Sequence, residues 1–160
     1  MPLIEIITKS AEETKKVGLA LTKTLKWPII LKQALIIALE GDLGSGKTTF
    51  IQELANGLGI KESVLSPTFL ILKQFPINFS AKGGSVSGGK KYKNFYHIDT
   101  YRLKNPEELL ELGFKDLLNN PENIIVIEWA DKIKRLLPKK ILWIKFSNLK
   151  GSKRKIQIYL

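Results

Sequence analysis

Apolar and polar positions change rhythm several times along the chain, and each change marks an element. Leu3-Ile4-Glu5-Ile6-Ile7 is a short β-rich run that predicts a first strand. Ser10 stands three residues before Glu13, the spacing of a capping box, and predicts a helix to about Leu25. Val17, Leu21 and Leu25 recur at intervals of four and predict its core-facing side. Trp27-Pro28 ends that helix. Leu35 to Leu39 is continuously apolar, the pattern of a strand buried on both faces of a parallel sheet. Thr49 to Ala55 has helical character, and Gly57 and Gly59 signal its stop. Val64 to Leu72 reads as extended, broken by a turn at Ser66-Pro67-Thr68. Lys93 to Ile98 predicts another strand. Pro106-Glu107-Glu108 opens a short helix behind an Asn105 cap, with Leu109, Leu110, Leu112 and Phe114 turned inward. Ile124 to Ile127 is a second fully apolar strand and closes on Glu128. Ile141 to Phe146 and Lys155 to Tyr159 predict two last strands around a turn at Asn148 to Ser152. Strands interleaved with helices predict an α/β fold, a three-layer sandwich with a mostly parallel central sheet.

A length of 160 residues favours one domain over residues 1–160. Residues 79–91, rich in Gly, Ser and Lys, have linker chemistry but sit between predicted strands, so they read as a flexible loop inside that domain. Apolar residues make up 44% of the chain, enough for a real core, which excludes wholesale disorder. The 26 Lys and Arg against 15 Asp and Glu give a net charge of +11, a field that favours anionic partners such as nucleotides, RNA or acidic protein surfaces. Cysteine is absent, which excludes disulfides, thiolate catalysis and Cys-based zinc sites. A single histidine excludes a multi-His metal site. The first residues carry no basic segment followed by an apolar one. The longest apolar stretch, Trp27 to Leu39, is interrupted by Pro28, Lys32 and Gln33. The expectation is a soluble, cytoplasmic protein.

The chemistry concentrates in Gly41-Asp42-Leu43-Gly44-Ser45-Gly46-Lys47-Thr48, which matches the Walker A pattern G-x-x-x-x-G-K-[ST] at every defined position. Glycines 41, 44 and 46 let the backbone curl so that successive N–H groups face phosphate oxygens, and the following helix adds its positive end. Lys47 can then reach the β- and γ-phosphates, and the Thr48 hydroxyl can coordinate Mg²⁺. The pattern also demands a strand before it and a helix after it, and both are predicted. A phosphate-bound metal needs a second acid, and Glu128, at the carboxyl end of an apolar strand, is either that acid or a strand-end surface group. Trp129 beside it either packs on nucleotide or closes the core, the core being the better expectation from the residues alone. His97, Asp99 and Tyr101 share one face if their segment is a strand. Asp99 is then either a group that orients attacking water or half of a buried pair that holds a loop, and His97 reads as a hydrogen-bonded structural group. Arg102 reads as a surface or intramolecular ion-pair partner. Ser66-Pro67-Thr68 suits a segment ordered by a γ-phosphate, and equally an ordinary turn.

Taken in order, the Walker A residues with Thr49-Phe50, Ser66-Pro67-Thr68-Phe69, His97-Ile98-Asp99-Thr100-Tyr101-Arg102-Leu103, Glu107-Glu108-Leu109 with Leu112-Gly113, Ile127-Glu128-Trp129-Ala130 and Leu137-Pro138 resemble the TsaE (YjeE) family. The resemblance implies a P-loop fold and an ATP- and Mg²⁺-dependent hydrolase, slow by itself. It also implies service in the tRNA threonylcarbamoyladenosine pathway beside the TsaB–TsaD pair, with tRNA met through that pair. Under it, Leu43, Gly44, Ser45, Gly46, Lys47, Thr48 and Thr49 cradle the phosphates, Thr48 and Glu128 hold the metal, and Asp99 with Lys47 and Glu128 serves hydrolysis. Ser66 to Thr68 becomes a switch-like segment, and Trp129 to Lys132 with Gly151 and Ser152 line the rest of the pocket. The stretch from Pro76 to Lys91 is longer and richer in glycine than the family's usual connection, and its Lys82, Lys90 and Lys91 with Lys93 either touch tRNA or an acidic partner or belong to a solvated, disordered loop, the loop being the better expectation. Two other readings compete. A small-molecule P-loop kinase needs a lid with catalytic arginines, and the chain holds only Arg102, Arg135 and Arg154. A basic RNA-binding protein retaining a P-loop has the charge, but the cations are scattered and no RNA-binding signature is present.

Overall fold

In the computed structural model, which describes residues 1–24, 32–67, 69–77 and 92–160, seven strands form one sheet in the order β1-β7-β6-β2-β5-β4-β3. The strands are β1 (Ile4–Thr8), β2 (Leu35–Gly41), β3 (Leu72–Pro76), β4 (Asn94–Asp99), β5 (Asn123–Glu128), β6 (Leu142–Asn148) and β7 (Arg154–Tyr159). The helices are α1 (Ala11–Thr24), α2 (Lys47–Gly57), α3 (Glu108–Glu111) and α4 (Phe114–Asn119), followed by a 3-10 segment over Ala130–Leu136. The central strands β6, β2, β5 and β4 are mutually parallel, whereas β7, β1 and β3 join by antiparallel pairing. The expected parallel sheet is thus its centre, bounded by antiparallel margins.

The apolar runs fix that centre. Along β2, Leu35, Ile37 and Leu39 enter one core, with Phe50, Ile51 and Leu54 of α2. Ile36 and Ala38 enter a second core on the opposite face, with Leu109, Phe114 and Ile133. A strand covered on both faces has no polar side to show, which explains its unbroken apolar sequence. Each buried Leu, Ile or Phe side chain contributes about 1.5–3 kcal/mol of burial free energy.

Ser10 caps α1 as its spacing predicts: the Glu13 N–H donates to Ser10 Oγ at 3.2 Å, and Glu13 Oε2 accepts the Lys9 N–H at 2.7 Å. The buried face differs from the expected one. Thr14, Gly18 and Thr22 form it, while Val17 and Leu21 pack half-buried beside it and Leu25 lies outside the described residues. Small residues win that face because α1 lies directly against the backbone of α2, where Gly18 faces Phe50 and Leu54. Two further expectations change. The described residues between Val64 and Ile71 are in no strand: the Pro67 carbonyl accepts the N–H groups of Leu70 and Ile71, Ile71 has φ +62°, and β3 starts at Leu72. The expected helix after Asn105 is two, divided at Gly113 with φ +79°, and the break leaves Leu112 exposed while Leu109 and Phe114 stay buried. The loop expected at 79–91 and the Trp27-Pro28 stop fall outside the described residues, as do Lys82, Lys90 and Lys91. No helix among the described residues is long and apolar enough to cross a membrane.

Candidate functional site

The order of the sheet decides which strand ends meet. With β2 beside β5 and β5 beside β4, Leu39 is opposite Glu128 and Glu128 is opposite Asp99. The loop after Gly41 arches over this carboxyl edge, the usual location of ligand crevices in open α/β sheets. A cavity of about 330 Å³ opens there. Its wall takes in the whole run from Leu43 to Thr49, together with Ser66, Asp99, Tyr101, Glu128 and Trp129.

The loop residues show why the pattern takes this shape. Gly46 precedes the first residue of α2 with φ +98°, a conformation that glycine adopts freely and that turns the chain sharply into the helix. Unlike α1, α2 begins with no side-chain cap and no acid in its first turn. Its leading N–H groups therefore face the cavity with the positive end of the helix behind them, an arrangement suited to an anion. Lys47 is buried and bends back over the loop, its ammonium donating to the carbonyls of Gly41 at 2.6 Å and Asp42 at 2.8 Å. That ammonium also lies 4.2 Å from the centre of the Trp129 ring. Burial pushes the Lys47 pKa down, and the charges of Glu128, Asp42, Asp99 and Asp131 partly offset it.

Thr48, the second residue of α2, holds its hydroxyl 3.3 Å from each carboxylate oxygen of Glu128. Two oxygen donors 80 positions apart in sequence thus come together at the cavity floor. Hard oxygen ligands of this kind suit Mg²⁺, which keeps several waters and takes further ligands from a substrate's phosphates. Among the described residues no group of three or more His, Cys, Asp or Glu forms a cage for a metal. A cation here would therefore rest on this pair and on the anion it accompanies.

Asp99 is 5% exposed and is fixed from two sides, accepting the Ser66 hydroxyl at Oδ2 and the Tyr101 N–H at Oδ1, 2.9 Å away. The Ser66 turn is therefore tied directly to the cavity. Pro67 shapes the turn without lining the cavity, and Thr68 lies outside the described residues. Trp129 departs from the expected core position. It follows the strand end with φ +58°, half-buried in the cavity wall, its ring 5.0 Å from that of Tyr101. Thr100 holds this corner by directing its hydroxyl at the carbonyls of Glu128 and Trp129, 2.9 and 2.7 Å away.

Several residues fall elsewhere. Arg102 lies 4.5 Å from the Phe69 ring rather than in an ion pair, none being present for it among the described residues. Gly151 makes the β6–β7 turn with φ +69°, outside the cavity wall, and its neighbour Ser152 bonds the Lys9 carbonyl at 2.7 Å. Lys132 donates to the Tyr101 carbonyl and lies over the Tyr101 ring, behind the wall. Tyr101 was absent from the expected site set and does line the cavity; its two-residue spacing from Asp99 was the available signal.

Comparison with known proteins adds what geometry cannot. The family model for "Threonylcarbamoyl adenosine biosynthesis protein TsaE" matches residues 8–156. A Rickettsia conorii protein named tRNA threonylcarbamoyladenosine biosynthesis protein TsaE is 39% identical over 148 residues, covering 91% of this chain and 71% of the relative. The Bacillus subtilis protein of the same name is 34% identical over 149 residues, covering 93% and 80%. The crystal structure of Bacillus subtilis YdiB superposes with a TM-score of 0.69 at 29% identity, covering 97% of this chain and 83% of that one. The family match spans the phosphate loop, the Asp99 strand and Glu128 alike, and the chain belongs to the TsaE family.

Proposed function

We propose that this protein binds ATP with Mg²⁺ in the cavity above β2, β5 and β4 and hydrolyses it in support of tRNA threonylcarbamoyladenosine formation. The observation that carries the reading is the meeting of Thr48 and Glu128 below a helix end with no side-chain cap. The Leu43–Thr49 loop takes the phosphates, with Lys47 moving from its loop carbonyls to the β- and γ-oxygens. Thr48 and Glu128 would hold the cation, which when bound would supply positive charge to offset that of the phosphates. Asp99 orients the attacking water, and the Ser66 turn responds to the γ-phosphate through its bond to Asp99. The pathway comes from relatives that bear its name. We place the chain beside the TsaB–TsaD pair in the cytoplasm, with tRNA reached through that pair.

Two measurements test this. ATP turnover in the presence of TsaB and TsaD should be lost in Lys47→Ala, which removes the phosphate-side cation; unchanged turnover would overturn the site. Capture of TsaB and TsaD by the protein should depend on ATP, and stoichiometric phosphorylation of a metabolite would point to a kinase instead.

A further inference from the structure

His97 is the chain's single histidine and is fully buried. It sits on β4 opposite Val126 of β5, two positions before the Asp99–Glu128 pair. The Glu128 carboxylate folds back toward it, so that His97 Nε2 lies 2.9 Å from Glu128 Oε1, with the His97 side chain fully buried and that of Glu128 nearly so at the cavity wall. An ionised carboxylate only accepts hydrogen bonds, so the proton on this contact belongs to Nε2. The other ring nitrogen, Nδ1, is buried without a hydrogen-bond partner among the described residues. Leaving such an atom unpaired carries a desolvation cost, tolerated here while the opposite edge of the ring is fixed on Glu128. Glu128 is thereby held at two levels: Thr100 anchors its backbone carbonyl, and His97 anchors one carboxylate oxygen.

We propose that His97 is a positioning residue for Glu128. It donates from Nε2 to Oε1 and leaves Oε2, beside the Thr48 hydroxyl, for the cation that accompanies the nucleotide. This rests on the Mg²⁺-nucleotide reading above. Groups that orient a metal's own ligands typically alter its affinity by about 10–100-fold when removed.

The test compares wild type with His97→Gln and His97→Asn. The glutamine amide nitrogen reaches the place of Nε2, whereas the asparagine nitrogen falls near that of Nδ1. ADP affinity is titrated with and without Mg²⁺, and the ring nitrogens of wild type are read by ¹⁵N NMR. The expected result is a proton on Nε2 in wild type. In H97N the Mg²⁺ affinity of the ADP complex falls about 10-fold or more while metal-free ADP binding holds, and H97Q retains most of the metal affinity. Wild-type metal affinity in H97N, or an Nε2 without a proton in wild type, would overturn the proposal. Should H97N fail to fold, an H97Q protein as impaired in metal binding as Glu128→Ala would overturn it equally. A wild-type protein whose ADP affinity ignores Mg²⁺ would refute the metal reading itself, a distinct outcome under which the NMR tautomer stands alone.

Discussion

The contact between α1 and α2 offers a perturbation whose size follows from how closely the two helices pack. A Cβ added at Gly18 would lie 2.6 Å from the Phe50 carbonyl oxygen and 3.3 Å from the Leu54 nitrogen, both backbone atoms of α2. Ordinary contact begins at 3.4 Å, so the nearer atom is too close by 3.4 − 2.6 = 0.8 Å and no side chain can swing aside to relieve it. Overpacking of this kind costs about 1–3 kcal/mol, toward the upper end when backbone must move. Alanine regains about 1 kcal/mol through its better helix propensity. The net expectation for Gly18→Ala is about 2 kcal/mol of destabilisation, a melting temperature lower by about 4–8 °C for a chain of this size. Because α2 starts at Lys47 and Thr48, its displacement also draws the Thr48 hydroxyl from Glu128, so nucleotide affinity should fall at temperatures well below the transition. Melting followed by circular dichroism, with nucleotide titration in the cold, reads both effects. Gly57→Ala is the internal comparison, since its added Cβ would meet the side chains of Thr22 and Leu19 at 2.8–2.9 Å, and these can adjust. A Gly18→Ala protein that melts at or above the wild-type temperature, or a larger loss at Gly57, would refute the packing argument.

Glu128→Ala should reduce Mg²⁺-dependent ATP hydrolysis by about 10²-fold or more while sparing metal-free nucleotide binding; equal losses in both assays would mark a purely structural residue. Thr100→Val should cost about 1–3 kcal/mol in urea unfolding, because the carbonyls of Glu128 and Trp129 lose a buried donor. Burial lowers the Lys47 pKa, so its proton leaves below the ordinary 10.5 and nucleotide affinity should weaken as pH rises through that lowered value. Over the same window the unfolded chain holds more protons at this residue, so its contribution to the stability of the nucleotide-free protein rises with pH. Affinity flat up to pH 10.5 would contradict the buried ammonium.

The phosphate loop was legible because its chemistry is local: Gly41 to Thr48 are contiguous, and the strand and helix that frame them have their own signals. The capping box at Ser10 and the runs Leu35–Leu39 and Ile124–Ile127 were legible for the same reason. Apolar character misled where a neighbour's backbone set the limit. Thr14, Gly18 and Thr22 took the buried face of α1 because only small residues fit against α2, and Leu112 turned outward where Gly113 broke the helix.

The order of the motifs was sufficient to suggest the family, which the match over residues 8–156 establishes. Alternation along one strand tells which residues share a face, but not which strand lies beside it. That choice belongs to the sheet. Placing β5 between β2 and β4 brought Thr48, His97 and Glu128 within hydrogen-bonding reach and set Asp99 alongside. The same packing turned Trp129 into the cavity wall through a left-handed backbone that no residue type at that position foretells. Contacts across tens of residues depend on the side-by-side order of whole strands, and the cores on both faces fix that order together.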